Sequence, residues 1–262
     1  MASSFSRSSG RPPRLHLFDL DGTLIHGSSA AVEISRQLGL DAEIRELELA
    51  FAAGGMTPPD FAGRACALWS ELTEDHITAA FMGAPWLSGI REVWAEIRER
   101  GERSAVISLS PDFFVGRLLH RAPPSRSPEL PHAPSTSPGD PAGALRTGAR
   151  TGGTDDGGAE GGGVDATYGS RWPAVPFRRQ PDPAGILSAE AKVRIADELC
   201  AEFGVSRNEC VAYGDSMSDA ALFAAVPVSV AVNADSHVRD LATAEYVGKD
   251  LREAYGLVRK SR

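Results

Sequence analysis

The chain is short of cysteine, short of lysine and free of long apolar runs. Its three cysteines, Cys66, Cys200 and Cys210, form no CxxC pair and are an odd number. That excludes a disulfide framework and a thiolate zinc site, and it points to a reducing, cytoplasmic compartment. The six histidines form no HxxxH pair. No apolar run approaches the roughly 18 residues that a membrane helix needs. The net charge of −8 argues against a nucleic-acid partner. Only three of the 27 basic residues are lysines, Lys192, Lys249 and Lys260, so each one stands out. Nothing in the sequence specifies an oligomeric state.

What is present suits a soluble globular protein. Of 262 residues, 42% are hydrophobic and 24% charged, enough for one α/β domain with a smaller unit. Residues 1–14 are Ser-rich and basic, lack the apolar stretch of a signal peptide and read as a disordered tail. Residues 121–163 hold 7 Pro and 10 Gly, with Leu130 and Leu145 as their only bulky apolar side chains. Such a segment buries too little surface to offset its ordering entropy, so it reads as a disordered insertion.

The first apolar strand is LHLF, at Leu15 to Phe18. Four helical stretches follow between residues 26 and 87, with no strand among them. Serines precede the first, Gly39 closes it, Pro58 and Pro59 open the third, and Thr73 caps the fourth. Strand and helix then alternate. An amphipathic helix carries Ile90, Val93, Trp94 and Ile97, and the strand SAVIS follows it. Ser110 reads as the cap of the next helix, with Pro111 at its first position. A long helix aligns Ile195, Leu199 and Phe203, and the strands CVAY and PVSVAV come after it, with helices to the end. The segment from Val164 to Leu187 reads as an ordered excursion near the site, with Trp172 a candidate for its lining. This order predicts a doubly wound, Rossmann-like parallel sheet over 15–25 and 88–262, with a helical unit over 26–87 inserted after the first strand.

The first strand runs into Asp19 and Asp21, in DLDGTL. Burying two nearby carboxylates is costly, because like charges and low dielectric each disfavour ionisation. Acids are common in turns but rarely follow a buried strand. In a doubly wound sheet, ligands bind beyond the carboxyl ends of the strands. A hard divalent cation there would stabilise an ionised Asp19 and leave Asp21 free to face a leaving group. Gly22 permits a tight turn whose N–H groups face an anion. Ser108 ends SAVIS and offers a hydroxyl to a phosphate oxygen. Asp215 and Asp219, in GDSMSD after a strand, suit an oxygen-preferring ion such as Mg²⁺. Lys192 is placed to neutralise phosphate and nucleophile.

Together, DLDGTL, Ser108, Lys192 and GDSMSD resemble the haloacid dehalogenase superfamily, and within it the phosphoserine-phosphatase-like phosphatases. The resemblance spans the chain apart from the tail and the insertion, and it makes residues 26–87 a cap. It implies a Mg²⁺-dependent phosphomonoester hydrolase. Asp19 is then the nucleophile that forms an aspartyl-phosphate, and Asp21 the general acid and base. Ser108, Lys192, Thr23 and Gly22 hold the phosphoryl group. The ion is held by Asp19, the Asp21 carbonyl and Asp215, with Asp219 in support. Phosphoserine phosphatases use a cap glutamate for the substrate amine and an arginine for its carboxylate. Arg64 resembles the arginine, whereas Ser28 stands in the glutamate's place. Ser216 and Ser218 stand where Gly and Asn are usual.

The expected substrate is therefore a small phosphorylated metabolite with an anionic or hydroxylated tail, held by Arg64 and Ser28, other than L-phosphoserine. A phosphotransferase or mutase on the same fold, or a noncatalytic scaffold using the insertion, are the competing readings. A dehalogenase is disfavoured, because a halide leaving group needs no acid at Asp21 and no acidic metal site.

Overall fold

A computed structural model describes residues 13–124 and 162–259. Most of the expected tail and residues 125–161 of the expected insertion lie outside the described residues. In chain order the elements are β1 (Leu15–Phe18), α1 (Ala30–Arg36), α2 (Asp41–Ala52), α3 (Pro58–Leu68), α4 (Glu74–Gly83), α5 (Ile90–Glu99), β2 (Arg103–Pro111), α6 (Asp112–Val115), β3 (Ala166–Ser170), α7 (Ala189–Phe203), β4 (Cys210–Gly214), α8 (Ala220–Ala225), β5 (Val228–Val232), α9 (Ser236–Arg239), β6 (Ala244–Tyr246) and α10 (Leu251–Arg259).

Six strands form one parallel sheet in the order β3-β2-β1-β4-β5-β6. The chain starts in the middle and winds outward both ways, so the order in which strands are added reverses at β1. Leu15 pairs with Arg103 of β2 on one side and Cys210 of β4 on the other. Successive side chains of a strand alternate in direction, and both faces here are covered. Leu15 and Leu17 pack with Ile195 and Leu199 of α7, while Phe18 packs with Trp94 of α5 and Tyr255 of α10. Burying all four residues of β1 is what makes it read as a continuous apolar run.

Local signals set the helix ends. The Ser29 hydroxyl caps α1 by accepting from the Val32 N–H at 3.1 Å. Thr57 and Asp60 form a reciprocal cap at α3, with prolines in its first turn. Thr73 caps α4. Gly204 ends α7 at φ 66°, where a side chain would be strained.

Three features depart from the sequence reading. Strand β2 extends through Ser110 to Pro111, and α6 is a single turn, so Ser110 is no helix cap. The ordered excursion after Val164 begins with an edge strand, β3. The C-terminal stretch adds β6 before its last helix. At the ends of the expected insertion, Ala122 and Val164 are buried in the core. Cys200 and Cys210 are free thiols with sulfurs 3.3 Å apart.

Candidate active site

The carboxyl ends of β1, β2 and β4 meet where the strand order reverses, the place at which open α/β sheets bind ligands. Asp19 leaves β1 with its N–H bonded to the Tyr213 carbonyl of β4 at 2.9 Å. Lys192, on the first turns of α7, is buried behind it. Its Nζ donates to Asp19 Oδ1 at 2.8 Å, Asp219 Oδ1 at 2.6 Å and Ser218 Oγ at 3.0 Å. All three ammonium protons therefore have acceptors. Asp219 is used on both oxygens, since Oδ2 accepts the N–H groups of Asp215 and Ser216 at 3.2 and 3.3 Å. It anchors the lysine and the loop after β4.

Asp21 points elsewhere. Its Oδ1 accepts the Ala30 N–H at the start of α1 at 2.7 Å, and its Oδ2 accepts Ser110 Oγ at 2.5 Å. Ser108 Oγ lies 3.5 Å from the same oxygen and accepts the Ser110 N–H at 3.1 Å. Ser108 is fully buried, whereas Ser110 lines the adjoining cavity. Sequence reasoning missed Ser110 because Ser-Pro-Asp before an apolar stretch is a good helix start, and the cap signal hid the strand end.

Gly22 takes φ +73°, and a Cβ there would sit 2.0 Å from Asp215 Oδ2. Glycine is thus required for both its backbone angle and the close approach of the acid. Thr23 donates to the other oxygen, Asp215 Oδ1, at 3.2 Å. It supports Asp215 as the chain is folded here.

The electrostatics follow from crowding. Burial pushes the Asp19 carboxyl well above the usual range, and the charges of Asp219, Asp215 and Asp21 add to this, against the pull of Lys192. Burial also raises Asp21, opposed by its bonds to Ser110 and Ala30. Asp215 is pushed up to about 7, first by burial and then by Asp219. Burial alone would lower Lys192, but Asp19 and Asp219 outweigh it and hold the ammonium charged. Asp19, Asp215 and Asp219 each bring an oxygen within 4.8 Å of the others. An all-oxygen, acid-rich site with excess negative charge has the chemistry that a hard divalent cation requires.

Asp19, Asp21 and Asp215 open onto a cavity of about 240 Å³ between the sheet ends and the helices α1–α3. Its walls include Phe51, Phe61, Trp69 and Trp172. The two tryptophan rings lie 5.2 Å apart, so Trp172 takes the place foreseen for it and Trp69 joins it. The cap residues chosen from sequence lie elsewhere. Arg64 is exposed on α3 and does not line the cavity. The Ser28 hydroxyl donates to Glu33 at 2.5 Å and is likewise outside the lining. Instead Ser29 and Glu48 line it, hydrogen-bonded to each other. Glu48 had a legible signal: it lies four residues after buried Ile44 and three before Phe51, an acid on an apolar helix face.

The chain has known relatives in both sequence and structure. Residues 188–254, from α7 to the start of α10, match the haloacid dehalogenase-like hydrolase family. A phosphoserine phosphatase of Methanocaldococcus jannaschii is 20% identical over 241 residues, covering 92% of this chain and 95% of that protein. A substrate-bound phosphoserine phosphatase complex superimposes with a TM-score of 0.67 at 18% identity, over 95% of this chain and 99% of the other. A phospho-aspartyl intermediate analogue of phosphoserine phosphatase gives 0.66 at 19%, over 94% and 99%.

The six-stranded parallel sheet is the fold of the matched phosphoserine phosphatase structures, and its C-terminal part carries the match to the haloacid dehalogenase-like hydrolases. In sequence and in fold the chain is similar to phosphoserine-phosphatase-like members of the haloacid dehalogenase superfamily, and the relatives named above are phosphatases.

Proposed function

We propose that this chain is a Mg²⁺-dependent phosphomonoester hydrolase working through an aspartyl-phosphate on Asp19, with residues 26–87 as a cap over the core formed by 15–25 and 88–262. The observation that supports it most is one arrangement: Asp19 and Asp21 line the same cavity, Lys192 bonds the back of Asp19, and Asp21 is held by different donors.

Asp19 and Asp215, with the Asp21 carbonyl, would hold the ion, and Asp219 would support them. When bound, Mg²⁺ offsets the charge of the acids and of the phosphoryl oxygens. Lys192 pulls Asp19 toward its ionised form against the effect of burial. The Asp19 carboxylate forms a bond to phosphorus as the ester P–O bond breaks. Asp21, whose raised pKa suits a proton donor, gives its proton to the departing alkoxide. Asp21 then accepts a proton from water as the water oxygen bonds to phosphorus. The Asp19–phosphorus bond breaks, releasing inorganic phosphate and restoring the carboxylate. Ser110 and the Ala30 N–H keep Asp21 on the leaving-group side throughout. The Gly22 turn, Thr23 and Ser108 frame the phosphoryl position.

The test uses p-nitrophenyl phosphate with and without Mg²⁺, and an acid-quenched mass measurement of the Asp19 peptide. Turnover should need the metal, and a phosphoryl adduct should appear on that peptide. Asp19→Asn should remove both while the protein stays folded. A folded Asp19→Asn protein with substantial turnover would overturn the mechanism.

A further inference from the structure

Glu48 is an unusual acid for its surroundings. It sits on α2 among Phe51, Phe61 and Trp69 at the cavity wall, and it has no salt-bridge partner among the described residues. Its described hydrogen-bond partner is the Ser29 hydroxyl. Ser29 in turn adjoins Ala30, whose N–H holds the catalytic acid Asp21. Glu48 and Asp21 are thus held by adjacent residues at the start of α1. Among the described residues no lysine, arginine or histidine lines the cavity, and Lys192 is committed behind Asp19. The described lining therefore offers nothing cationic to receive a carboxylate, and Arg64 lies outside it.

Resting on the proposed phosphatase reading, we propose that Glu48 is the recognition residue for the organic half of the substrate, and that this half carries a positive charge. The ligand class is the phosphate monoester of an amino alcohol or a ring-nitrogen alcohol. Its ammonium or imidazolium binds Glu48, and its carbon skeleton lies against Phe51, Phe61, Trp69 and Trp172.

Three physical points carry the assignment. A half-buried carboxylate with no salt-bridge partner among the described residues, only the more distant charge of Arg45, is stabilised by a cation and penalised by a second anion. Aromatic faces attract cations and reject the strongly hydrated carboxylate. The Ser29 bond fixes the carboxylate in one direction, so little ordering is left to do on binding. Burial, with the negative charge of Asp21, raises the Glu48 carboxyl against the Ser29 bond and the charge of Arg45, so a bound cation favours its ionised form. This replaces the anionic tail expected from Arg64, and it disfavours L-phosphoserine on the ground of its carboxylate.

The test compares kcat/KM on the phosphate esters of ethanolamine, choline and histidinol with that on phosphoserine, phosphoglycolate and glycerol 3-phosphate. The ethanolamine, choline and histidinol arms separate a primary amine, a quaternary amine and an imidazole. At least one cationic ester should exceed the anionic ones by tenfold or more. Glu48→Gln should reduce the cationic-to-neutral ratio about ten- to a hundredfold, the range expected for one charge-assisted contact. Glu48→Lys should turn the preference toward the anionic esters. A wild-type preference for phosphoserine or phosphoglycolate, or an unchanged ratio in Glu48→Gln, would overturn the assignment. Calorimetric binding of the same esters to Asp19→Asn protein separates the two readings. Cationic esters that bind in a Glu48-dependent way without wild-type turnover would refute the hydrolase and leave the subsite standing. Equal binding of all esters would refute the subsite.

Discussion

Lys192→Met is the most informative single change, because one buried ammonium satisfies two carboxylates and a hydroxyl. The lysine and Asp219 are each 1% exposed and Asp19 is 7% exposed. Methionine keeps the apolar stem and removes the charge. Breaking a buried ion pair on one side leaves uncompensated charge and costs about 3–5 kcal/mol. At a slope of roughly 2–3 kcal/mol per molar, that lowers the urea midpoint by about 1–2.5 M. The loss should depend on pH in a definite direction. Without the lysine that opposes it, the raised pKa of Asp19 makes the folded chain bind a proton more tightly than the unfolded one, so the stability of the variant falls as pH rises through that raised value. The deficit against wild type is thus largest near pH 8 and shrinks toward pH 5. Urea melts at pH 5, 6.5 and 8 with EDTA present read this directly, and Mg²⁺ should restore part of the loss. Turnover should drop to background, since the orphaned Asp19 takes up a proton and ceases to be a nucleophile. Lys192→Arg should not rescue it, because the planar guanidinium does not fit three acceptors arranged around a point charge. A midpoint shift below about 0.3 M at pH 8, or a shift independent of pH, would show that Lys192 does not neutralise the buried acids.

Other expectations follow from the same geometry. Gly22→Ala should abolish turnover and cost at least about 1–2 kcal/mol from the left-handed backbone alone, before the clash with Asp215; retained Mg²⁺-dependent turnover would contradict the close approach. Asp215→Asn should raise the Mg²⁺ concentration for half-activity, read as an activity titration, and an unmoved curve would remove Asp215 from the ion's shell. His16 is buried with its pKa lowered by desolvation, so the unfolded chain binds a proton more readily below pH 6.5; stability should fall as pH drops from 7.5 to 5.5, and His16→Gln should flatten that slope in thermal melts. Replacing residues 125–161 by a short Gly/Ser linker should leave kcat/KM on p-nitrophenyl phosphate within about twofold, because loop closure depends weakly on length; a larger loss would give the segment a part in the site.

The parts of this protein that were legible in the sequence are those specified by short-range rules. Asp19, Asp21 and Gly22 are adjacent in the chain, and their spacing alone fixes one acid at a strand end and the other in the turn. The helices α1–α4 announce themselves by caps, prolines and glycines that act within a turn of their own position. Glu48, Ser110 and β3 obey a different logic. Ser110 has two good local fates, helix cap or strand end, and pairing between β2 and β3 decides for the strand. Strand β3 lies at the sheet edge, mostly half-buried, so its sequence lacks the continuous apolar run of β1. Arg64 was favoured as the basic residue on an apolar stretch, yet its position in the chain carries no information about which side of α3 meets the cavity. Ala62, a cavity-lining residue two positions earlier, and Ala65, fully buried, define the inner face, so Arg64 points outward. Helical phase had the same power on α2, where it puts Glu48 on the side of Ile44 and Phe51. A helical period, read consistently on both helices, favours an acid over a base at the cavity wall. On the proposed reading, the site chemistry thus sits in contiguous motifs, while the choice of substrate sits in the rotation of α2 and α3 about their axes.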